Sequence, residues 1–194
     1  MNRDNVWSLG PVLYRDYPIG TLALSDDGTG LSRVFLCQSG SDRPAPQGET
    51  ELTRWAAAEL DEYFSGRRAA FTVPLSPRGT PFQLAVWAAL RAIPFGQTRT
   101  YGEIAAGVGR PKAARAVGMA NHHNPLLIFT PCHRVVGRGG SLTGFACGLE
   151  VKRALLALEG AELPHAAPRV SPPPTPASAV LPGPNPHTGG HPYA

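Results

Sequence analysis

The sequence has few cysteines and no long apolar run. Its 194 residues contain three cysteines, Cys37, Cys132 and Cys147. None of them forms a CxxC pair, which argues against a disulfide scaffold and favours a reducing compartment. No stretch approaches the roughly 18 consecutive apolar residues of a membrane-spanning helix, and the N-terminus lacks the basic segment and apolar run of a secretory signal. We therefore expect a cytoplasmic protein with no membrane partner.

Charge is distributed unevenly along the chain. The net charge is +4, but residues 1–76 carry 7 arginines against 10 acidic residues, whereas residues 77–165 carry 10 basic residues against 4 glutamates. Only the second segment has the electrostatic character of a surface that meets a polyanion. Charge alone does not distinguish that interpretation from a solvated basic face.

The composition divides the chain into an N-terminal α/β domain (1–76), a mostly helical domain (77–165) and a tail (166–194). The first segment contains two extended runs, PVLYRDYPIGTLALSDD and TGLSRVFL, separated by the turn signal DDGTG. An amphipathic helix is predicted near residues 51–64. Its predicted buried face consists of Leu52, Trp55, Leu60, Tyr63 and Phe64.

The tail has almost no apolar periodicity. Nine of its 29 residues are proline, which predicts a disordered segment. His187 and His191 stand four residues apart in it, but no predicted helix holds them on one face, so a metal site is not favoured.

Capping signals predict the helices of the second segment. Thr80 and Pro81 indicate a helix start, and Thr100 with Glu103 fits a capping box. Pro111 predicts the start of the following helix, PKAARAVGMAN. Two short helices joined by a glycine turn predict a helix-turn-helix. The helix that starts at Thr80 and Pro81 has a predicted buried stripe of Phe82, Val86, Trp87 and Leu90.

The run LLIFTPCHRVV contains the strongest chemical signal. An apolar strand from Leu126 to Phe129 is predicted to precede Pro131, Cys132 and His133. The thiolate is the nucleophilic form of cysteine, and an adjacent imidazole can accept the thiol proton. The dipeptide alone leaves open the alternative of an inert buried cysteine beside a surface histidine.

Residues 80–160 resemble the O6-alkylguanine-DNA alkyltransferase family almost without gaps. The motifs that carry the resemblance are TYGEIA, PKAARAVG, Asn124-Pro125 eight residues before Cys132, the PCHRVV box, and the loop SLTGF with the following GL. Residues 1–76 resemble the family only loosely, as a variable domain. We therefore expect an α/β fold, with a small sheet-plus-helix domain before a mostly helical domain that contains the helix-turn-helix.

The resemblance implies repair of DNA by direct reversal, without a cofactor. The alkyl group of O6-alkylguanine, and of O4-alkylthymine, would pass irreversibly to Cys132, so each molecule would act once. His133 would take the thiol proton through a water, and Glu159 would orient His133. Asn124 would brace the active-site turn, and Tyr101 would donate a hydrogen bond to the departing guanine.

The resemblance also implies a substrate pocket. The backbone carbonyls of Cys132 and Val135 would accept from the exocyclic amine of guanine and so exclude adenine. Phe145 and Ala146 would line the wall of the pocket, although the family commonly has tyrosine where Phe145 stands.

The implied partner is double-stranded DNA carrying O6-alkylguanine, bound by a monomer. The reacting carbon is inaccessible inside a duplex, so the base must be flipped out, and the helix-turn-helix would enter the minor groove. Arg115 would fill the space left by the flipped nucleotide. Ala114 and Gly118 would permit close approach of the helix to the groove, and Asn121 would lie on the same DNA-binding surface.

Three features depart from the family pattern. Cys147 stands where a small residue is usual, and we interpret it as a filler; the alternative is an oxidative disulfide with Cys132. The turn Asn121-His122-His123 replaces a turn that usually contains Gly and Arg, which bears on DNA affinity. The zinc ligands found in some relatives have no counterpart in residues 1–76, so no metal is expected.

Two other classes of function compete with alkyl transfer. A non-catalytic alkyltransferase-like protein would bind lesions without reacting, but such relatives lack the cysteine that is present here as Cys132. A Cys/His hydrolase or thiol redox enzyme would need an oxyanion hole or a second redox thiol, and the sequence offers only Cys147 as a candidate thiol. The mass of the protein after exposure to alkylated DNA distinguishes transfer from hydrolysis.

Overall fold

The computed structural model describes residues 11–37 and 48–161. The predicted tail, with His187 and His191, lies outside the described residues. Within the described part, no helix has the length and apolar character needed to cross a membrane. The α/β fold expected from the sequence is confirmed, since a small antiparallel sheet precedes a succession of helices.

The sheet has three antiparallel strands in sequential order: β1 (Leu13–Tyr17), β2 (Gly20–Asp26) and β3 (Leu31–Leu36). The first predicted extended run therefore contains two strands, which pair with Tyr17 opposite Gly20. Gly20 has a φ of 117°, a conformation that favours glycine and allows the tight reversal. The predicted turn between the two runs is confirmed, because the Asp27 amide donates to the Gly30 carbonyl over 3.2 Å.

Helix α1 (Glu51–Phe64) packs on the sheet and occupies the predicted range. A capping box at Thr50 and Thr53 starts it. Leu60 and Tyr63 are buried as predicted, but Trp55 is 43% exposed, so its assignment to the buried face was wrong. The face that contacts the core runs through Thr53, Ala56, Leu60 and Tyr63 at helical spacing, which leaves Trp55 at its margin.

Two helices begin the second part of the fold. Helix α2 (Pro81–Arg91) begins at the predicted N-cap Thr80, where Gln83 completes a capping box. Helix α3 (Tyr101–Gly107) begins at the predicted capping box of Thr100 and Glu103. Of the predicted stripe on α2, Val86, Trp87 and Leu90 are buried and Phe82 is partly buried.

Helix α4 (Ala114–His122) begins three residues later than predicted. Residues 111–113 form a turn instead, in which the Ala113 amide donates to the Arg110 carbonyl over 2.8 Å. Proline fixes φ but does not by itself set where helical hydrogen bonding begins. Helices α3 and α4 pack against each other; the helix-turn-helix geometry stays a prediction.

The predicted strand from Leu126 to Phe129 is not a regular strand. Leu126 makes an isolated bridge to Val34, and Ile128 has a φ of 73°, which breaks the extended conformation. The chain folds back on itself, with the Thr130 amide donating to the Leu126 carbonyl over 2.8 Å. The four residues are buried and apolar, which explains why their sequence resembles that of a strand.

A short 3-10 turn, Cys132–Arg134, follows the buried segment. It leads into β5 (Val135–Val136), which pairs in parallel with β4 (Arg99–Thr100). Helix α5 (Leu149–Leu158) closes the fold. One core cluster joins the sheet, α1, residues 126–129 and α5, and a second joins α2, α3 and α4 with Cys132 and Val135. The 3-10 turn therefore lies where the two clusters meet.

Candidate active site

The sulfur of Cys132 is the centre of the site. Cys132 is 6% exposed and begins the 3-10 turn after Pro131, its amide bonded to the Thr130 carbonyl over 2.8 Å. Nδ2 of Asn124 donates to the sulfur over 3.2 Å. The side chain is therefore held by the local backbone on one side and by a side-chain donor on the other.

Asn124 is fixed by the loop that it braces. Its Nδ2 also donates to the Thr130 carbonyl over 2.7 Å, and its Oδ1 accepts from the Leu126 amide over 3.0 Å. An amide has two N–H donors and a carbonyl acceptor, and these three contacts use both kinds of group. Asn124 therefore contacts both the loop and the sulfur, and its role in the reaction stays a prediction.

Burial raises the pKa of the Cys132 thiol above its ordinary value, whereas the hydrogen bond from Asn124 and the positive charge of Lys152 act in the opposite direction. The net effect is a raised pKa, so Cys132 rests as a thiol at neutral pH. A thiol must lose its proton to become a nucleophile. The site consequently needs a proton acceptor.

His133, the residue after Cys132, forms a buried pair with Glu159. Nε2 of His133 lies 2.8 Å from Oε1 of Glu159. Burial lowers the pKa of His133, and the adjacent Glu159 only partly offsets that effect, so the imidazole is neutral at pH 7. The carboxylate accepts a hydrogen bond from the Nε2–H group, which leaves Nδ1 as the hydrogen-bond acceptor of the ring. Nδ1 is buried and has no hydrogen-bond partner among the residues described.

Glu159 is held by a dense set of donors. Arg134 donates through Nε to Oε2 over 2.8 Å and through a second nitrogen to Oε1 over 2.9 Å. Tyr63 donates its hydroxyl to Oε1 over 2.7 Å, and the Gly96 amide donates to Oε2 over 3.3 Å. Burial raises the pKa of Glu159, but the hydrogen bonds and charges of His133 and Arg134 outweigh burial and lower the pKa to about 2. Glu159 is therefore an anion at every physiological pH.

A cavity of about 400 Å³ opens onto Cys132. Six of the predicted site residues line it: Tyr101, Gly118, Asn121, Cys132, Phe145 and Ala146. Burial raises the pKa of the Tyr101 hydroxyl, which keeps it protonated and able to donate. Both polar atoms of the Asn121 side-chain amide are buried without a hydrogen-bond partner in the described part of the chain.

The outer face of helix α4 carries the remaining predicted DNA-binding residues. Arg115 is exposed and Ala114 is half-buried, and neither is among the residues that line the cavity. A side chain at Gly118 would contact the Tyr101 ring at 3.7 Å. That distance is an ordinary van der Waals contact, so α4 lies directly against the Tyr101 ring at Gly118.

Val135 lies in the core, and its carbonyl oxygen already has a partner. Lys152 is fully buried, and its Nζ donates to the Val135 carbonyl over 2.6 Å and to the Thr143 carbonyl over 3.1 Å. A carbonyl oxygen has two lone pairs, so the implied contact between the Val135 carbonyl and guanine requires the second one.

Sequence reasoning missed three residues of the site: Tyr63, Arg134 and Lys152. Lys152 had a detectable signal, because it stands with Leu155, Leu156 and Glu159 at the spacing of one helical face. Arg134 was noted only as part of the PCHRVV motif, and the motif does not indicate its contact with Glu159. Tyr63 was identified as a core residue, and nothing in its local sequence indicates the hydroxyl contact with Glu159.

Cys147 is half-buried and packs against the larger core cluster. Burial, together with the charge of Cys132, raises the pKa of the Cys147 thiol to about 11. Both interpretations of Cys147, filler and disulfide partner, stay predictions. In residues 11–37 and 48–161, no group of three or more His, Cys, Asp or Glu side chains is placed to hold a metal ion.

Two family models together match most of the described chain. Residues 13–77 match the family model for the ribonuclease-like domain of 6-O-methylguanine DNA methyltransferase, and residues 81–161 match the model for its DNA binding domain. The methylated-DNA--protein-cysteine methyltransferase of Methanosarcina acetivorans is 49% identical over 146 residues, which cover 74% of this chain and 94% of that protein.

Solved structures agree with the sequence matches. The crystal structure of Mycobacterium tuberculosis O6-methylguanine methyltransferase is similar with a TM-score of 0.71 and 45% identity, covering 77% of this chain and 92% of that chain. A crystal structure of the Mycobacterium tuberculosis protein in complex with DNA is similar with the same TM-score and 46% identity. The identity, its coverage and the shared fold agree, and the chain belongs to the 6-O-methylguanine DNA methyltransferase family.

Proposed function

We propose that this protein repairs alkylated DNA by direct reversal, moving the alkyl group of O6-alkylguanine, and also of O4-alkylthymine, irreversibly to Cys132. The observation that carries the proposal is the arrangement around one sulfur. Cys132 opens onto a cavity of about 400 Å³, is contacted by the Asn124 amide, and is followed by the buried His133–Glu159 pair.

The transfer exchanges a proton for an alkyl group. The Cys132 sulfur attacks the alkyl carbon, a carbon–sulfur bond forms, and the bond between that carbon and guanine O6 breaks with its electron pair leaving on the base. Nδ1 of His133 accepts the thiol proton, by way of one water. Glu159 stabilises the imidazolium that results, and Tyr101 donates a hydrogen bond to the base as negative charge develops on it. The guanine anion then takes up a proton from solvent and the imidazolium releases one, so the base ends with the equivalent of the proton that the thiol lost.

The product explains why each molecule acts once. A thioether has no good leaving group, and the His133–Glu159 pair supplies a base but no second reaction that would release the alkyl group. Restored guanine dissociates while Cys132 stays alkylated. The protein is consumed in proportion to the lesions that it repairs.

Helix α4 is proposed to present the DNA-binding surface. Arg115 is exposed on this helix and would fill the space left by the flipped nucleotide. Ala114 and Gly118 would let the helix backbone approach the groove. The Asn121 amide, which has no hydrogen-bond partner among the described residues, would find donors and acceptors on the nucleotide. The excess of basic residues in 77–165 would attract the phosphates.

Two backbone carbonyls and the wall of the cavity are proposed to select the base. The carbonyls of Cys132 and Val135 would accept from the exocyclic amine of guanine, an amine that adenine does not have at that position. Phe145 and Ala146 would form the wall. We also propose that the protein acts as a monomer in the reducing cytoplasm, because one chain carries every group that the reaction needs and the reaction requires a free thiol.

Variants of the cysteine test this proposal. Cys132→Ser and Cys132→Ala should take no label from duplex DNA that carries radiolabelled O6-methylguanine, yet they should bind the same DNA with unchanged affinity. Cys37→Ser, which removes a half-buried thiol directly after β3, is the control and should transfer normally. Label transfer to Cys132→Ala would overturn the proposal, and repeated turnover without labelled protein would indicate a hydrolase.

A further inference from the structure

We propose that Tyr63, a residue of the N-terminal sheet-plus-helix segment, is a positioning residue of the transfer site. Its hydroxyl holds the carboxylate that orients His133, so the segment outside the DNA-binding part of the chain completes the reactive site. This inference rests on the proposed transfer to Cys132. It extends that function by a residue 96 positions away from Glu159 in the sequence.

The contact joins α1 to the end of α5. The hydroxyl of Tyr63 donates to Oε1 of Glu159 over 2.7 Å, and Nε2 of His133 donates to the same oxygen over 2.8 Å. Both side chains are fully buried, so solvent does not weaken either contact. Two donors from different parts of the chain therefore share one carboxylate oxygen.

The Tyr63 ring has little freedom to turn its hydroxyl elsewhere. Phe64 and Phe95 pack edge-on to it, with ring centroids at 5.3 Å and 6.1 Å, and Phe71 packs at 5.5 Å. Burial and the charge of Glu159 raise the pKa of Tyr63, so the phenol stays protonated. Tyr63 is thus a fixed donor at any pH at which the protein works.

Arg134 does not make the Tyr63 contact redundant. The guanidinium holds both carboxylate oxygens from its own side, but only Tyr63 reaches Oε1 from α1. With His133 and Arg134, Tyr63 is the third donor to that oxygen, and it fixes the direction from which the carboxylate accepts the hydrogen bond of His133. It also withdraws negative charge from the oxygen that faces the imidazole.

The charges around the His133–Glu159 pair set the direction of the expected effect. Besides Tyr63, the groups that face the pair are Arg134 and Lys152, with the Cys132 thiol adjacent in sequence. Removing the Tyr63 hydroxyl leaves more negative charge on Oε1, which favours the imidazolium and raises the pKa of His133. Since transfer needs neutral His133, the variant should lose activity on the acid side first.

The experiment compares two tyrosine hydroxyls of the same segment. Tyr63→Phe removes a donor to Glu159, whereas Tyr17→Phe removes a hydroxyl that donates to the Ala57 carbonyl over 3.3 Å and not to Glu159. Single-turnover rates of methyl transfer are measured at saturating O6-methylguanine duplex from pH 5 to 9. Thermal unfolding is recorded for each variant.

The expected result is specific to Tyr63. Tyr63→Phe should lower the maximal transfer rate about tenfold, the loss that follows from one hydrogen bond to a charged group, and the acid limb of its pH profile should move to higher pH. The DNA concentration that gives half the maximal rate should be unchanged. Tyr17→Phe should retain the wild-type rate and profile.

Three results would overturn the inference. One is a Tyr63→Phe protein that matches Tyr17→Phe in rate and profile. Another is a loss of rate that follows the unfolded fraction with no shift in the pH profile, because that pattern is purely structural. The third comes from the NMR spectrum of the wild-type protein, and it applies also if Tyr63→Phe fails to fold. It is the absence of cross-relaxation between the Tyr63 hydroxyl proton and the Nε2 proton of His133.

These outcomes are distinguishable from a failure of the proposed function itself. If the function is wrong, wild-type protein transfers no methyl group and the Tyr63 comparison has no rate to measure. If only the inference is wrong, wild-type and Tyr17→Phe proteins transfer normally and Tyr63→Phe does the same.

Discussion

Nδ2 of Asn124 donates a hydrogen bond to Sγ of Cys132 over 3.2 Å. The same nitrogen holds the Thr130 carbonyl, so one side chain fixes both the loop and the sulfur. A donor at this distance stabilises the thiolate more than the thiol. The contact partly offsets the burial that raises the pKa of Cys132.

Exchanging that amide for a carboxylate should suppress transfer. Asn124→Asp has the same shape but replaces a donor with a negative charge beside the sulfur, which raises the pKa of Cys132 further. We expect the single-turnover rate at pH 7 to fall at least about tenfold, with recovery as pH rises. Asn124→Ala, which removes the donor without adding charge, should lie between Asp and wild type. An unaltered pH profile for Asn124→Asp would contradict this role.

The buried carboxylate of Glu159 should make stability depend on pH. Its pKa is lowered to about 2, below the unfolded value near 4.3. Glu159 therefore stabilises the fold above the unfolded pKa, and this contribution is lost as pH falls from about 5 toward 2. The size is on the order of 2–3 kcal/mol. Chemical unfolding measured at several pH values should show this slope in wild type and a smaller one in Glu159→Gln; parallel slopes would refute it.

Gly96 should be intolerant of any side chain. Its φ is 74°, and a Cβ there would meet the Glu159 carbonyl oxygen at 2.9 Å. Gly96→Ala should cost about 3 kcal/mol, from the strained backbone and the contact together. Gly66→Ala is the matched control, because Gly66 has a φ of 73° and open space around its Cβ position; it should cost only about 1 kcal/mol. Equal losses of unfolding free energy would show that the contact with Glu159 has no effect.

We expect Arg115 to contribute to methyl transfer from duplex DNA but not to the transfer reaction itself. Arg115→Ala should slow methyl transfer from a duplex far more than transfer from free O6-methylguanine base, because only the duplex needs a nucleotide held outside the helix. Arg67→Ala removes an equally exposed arginine that lies after α1, and serves as the control for lost positive charge. Equal slowing with duplex and free base would place Arg115 in the reactive site instead.

Local signals explain which parts of the fold were predictable. The capping boxes at Thr80 and Thr100 each join residues three positions apart, so each helix start depends on a few consecutive residues. The segment Leu126–Phe129 shows the opposite case. Its apolar letters fit a strand, but the φ of Ile128 and the pairing of Leu126 with β3 depend on neighbours distant in sequence.

The site was predictable to the extent that its residues are close in sequence or belong to a family motif. Asn124, Cys132 and His133 lie within ten residues, and Glu159 came from the resemblance. The donors to Glu159 from Tyr63 and Gly96 cross 96 and 63 positions. Such contacts arise only when the chain is folded, because the hydrophobic face of α1 rather than any polar motif brings Tyr63 to the site.

The mass of the protein after one encounter with damaged DNA tests the central claim most directly. Reduced protein is mixed with an excess of O6-methylguanine duplex and digested. The account predicts one added methyl group per molecule, about 14 Da on the peptide that contains Cys132, with one equivalent of guanine restored. Restored guanine beside an unmodified Cys132 peptide, or more than one lesion repaired per molecule, would contradict it.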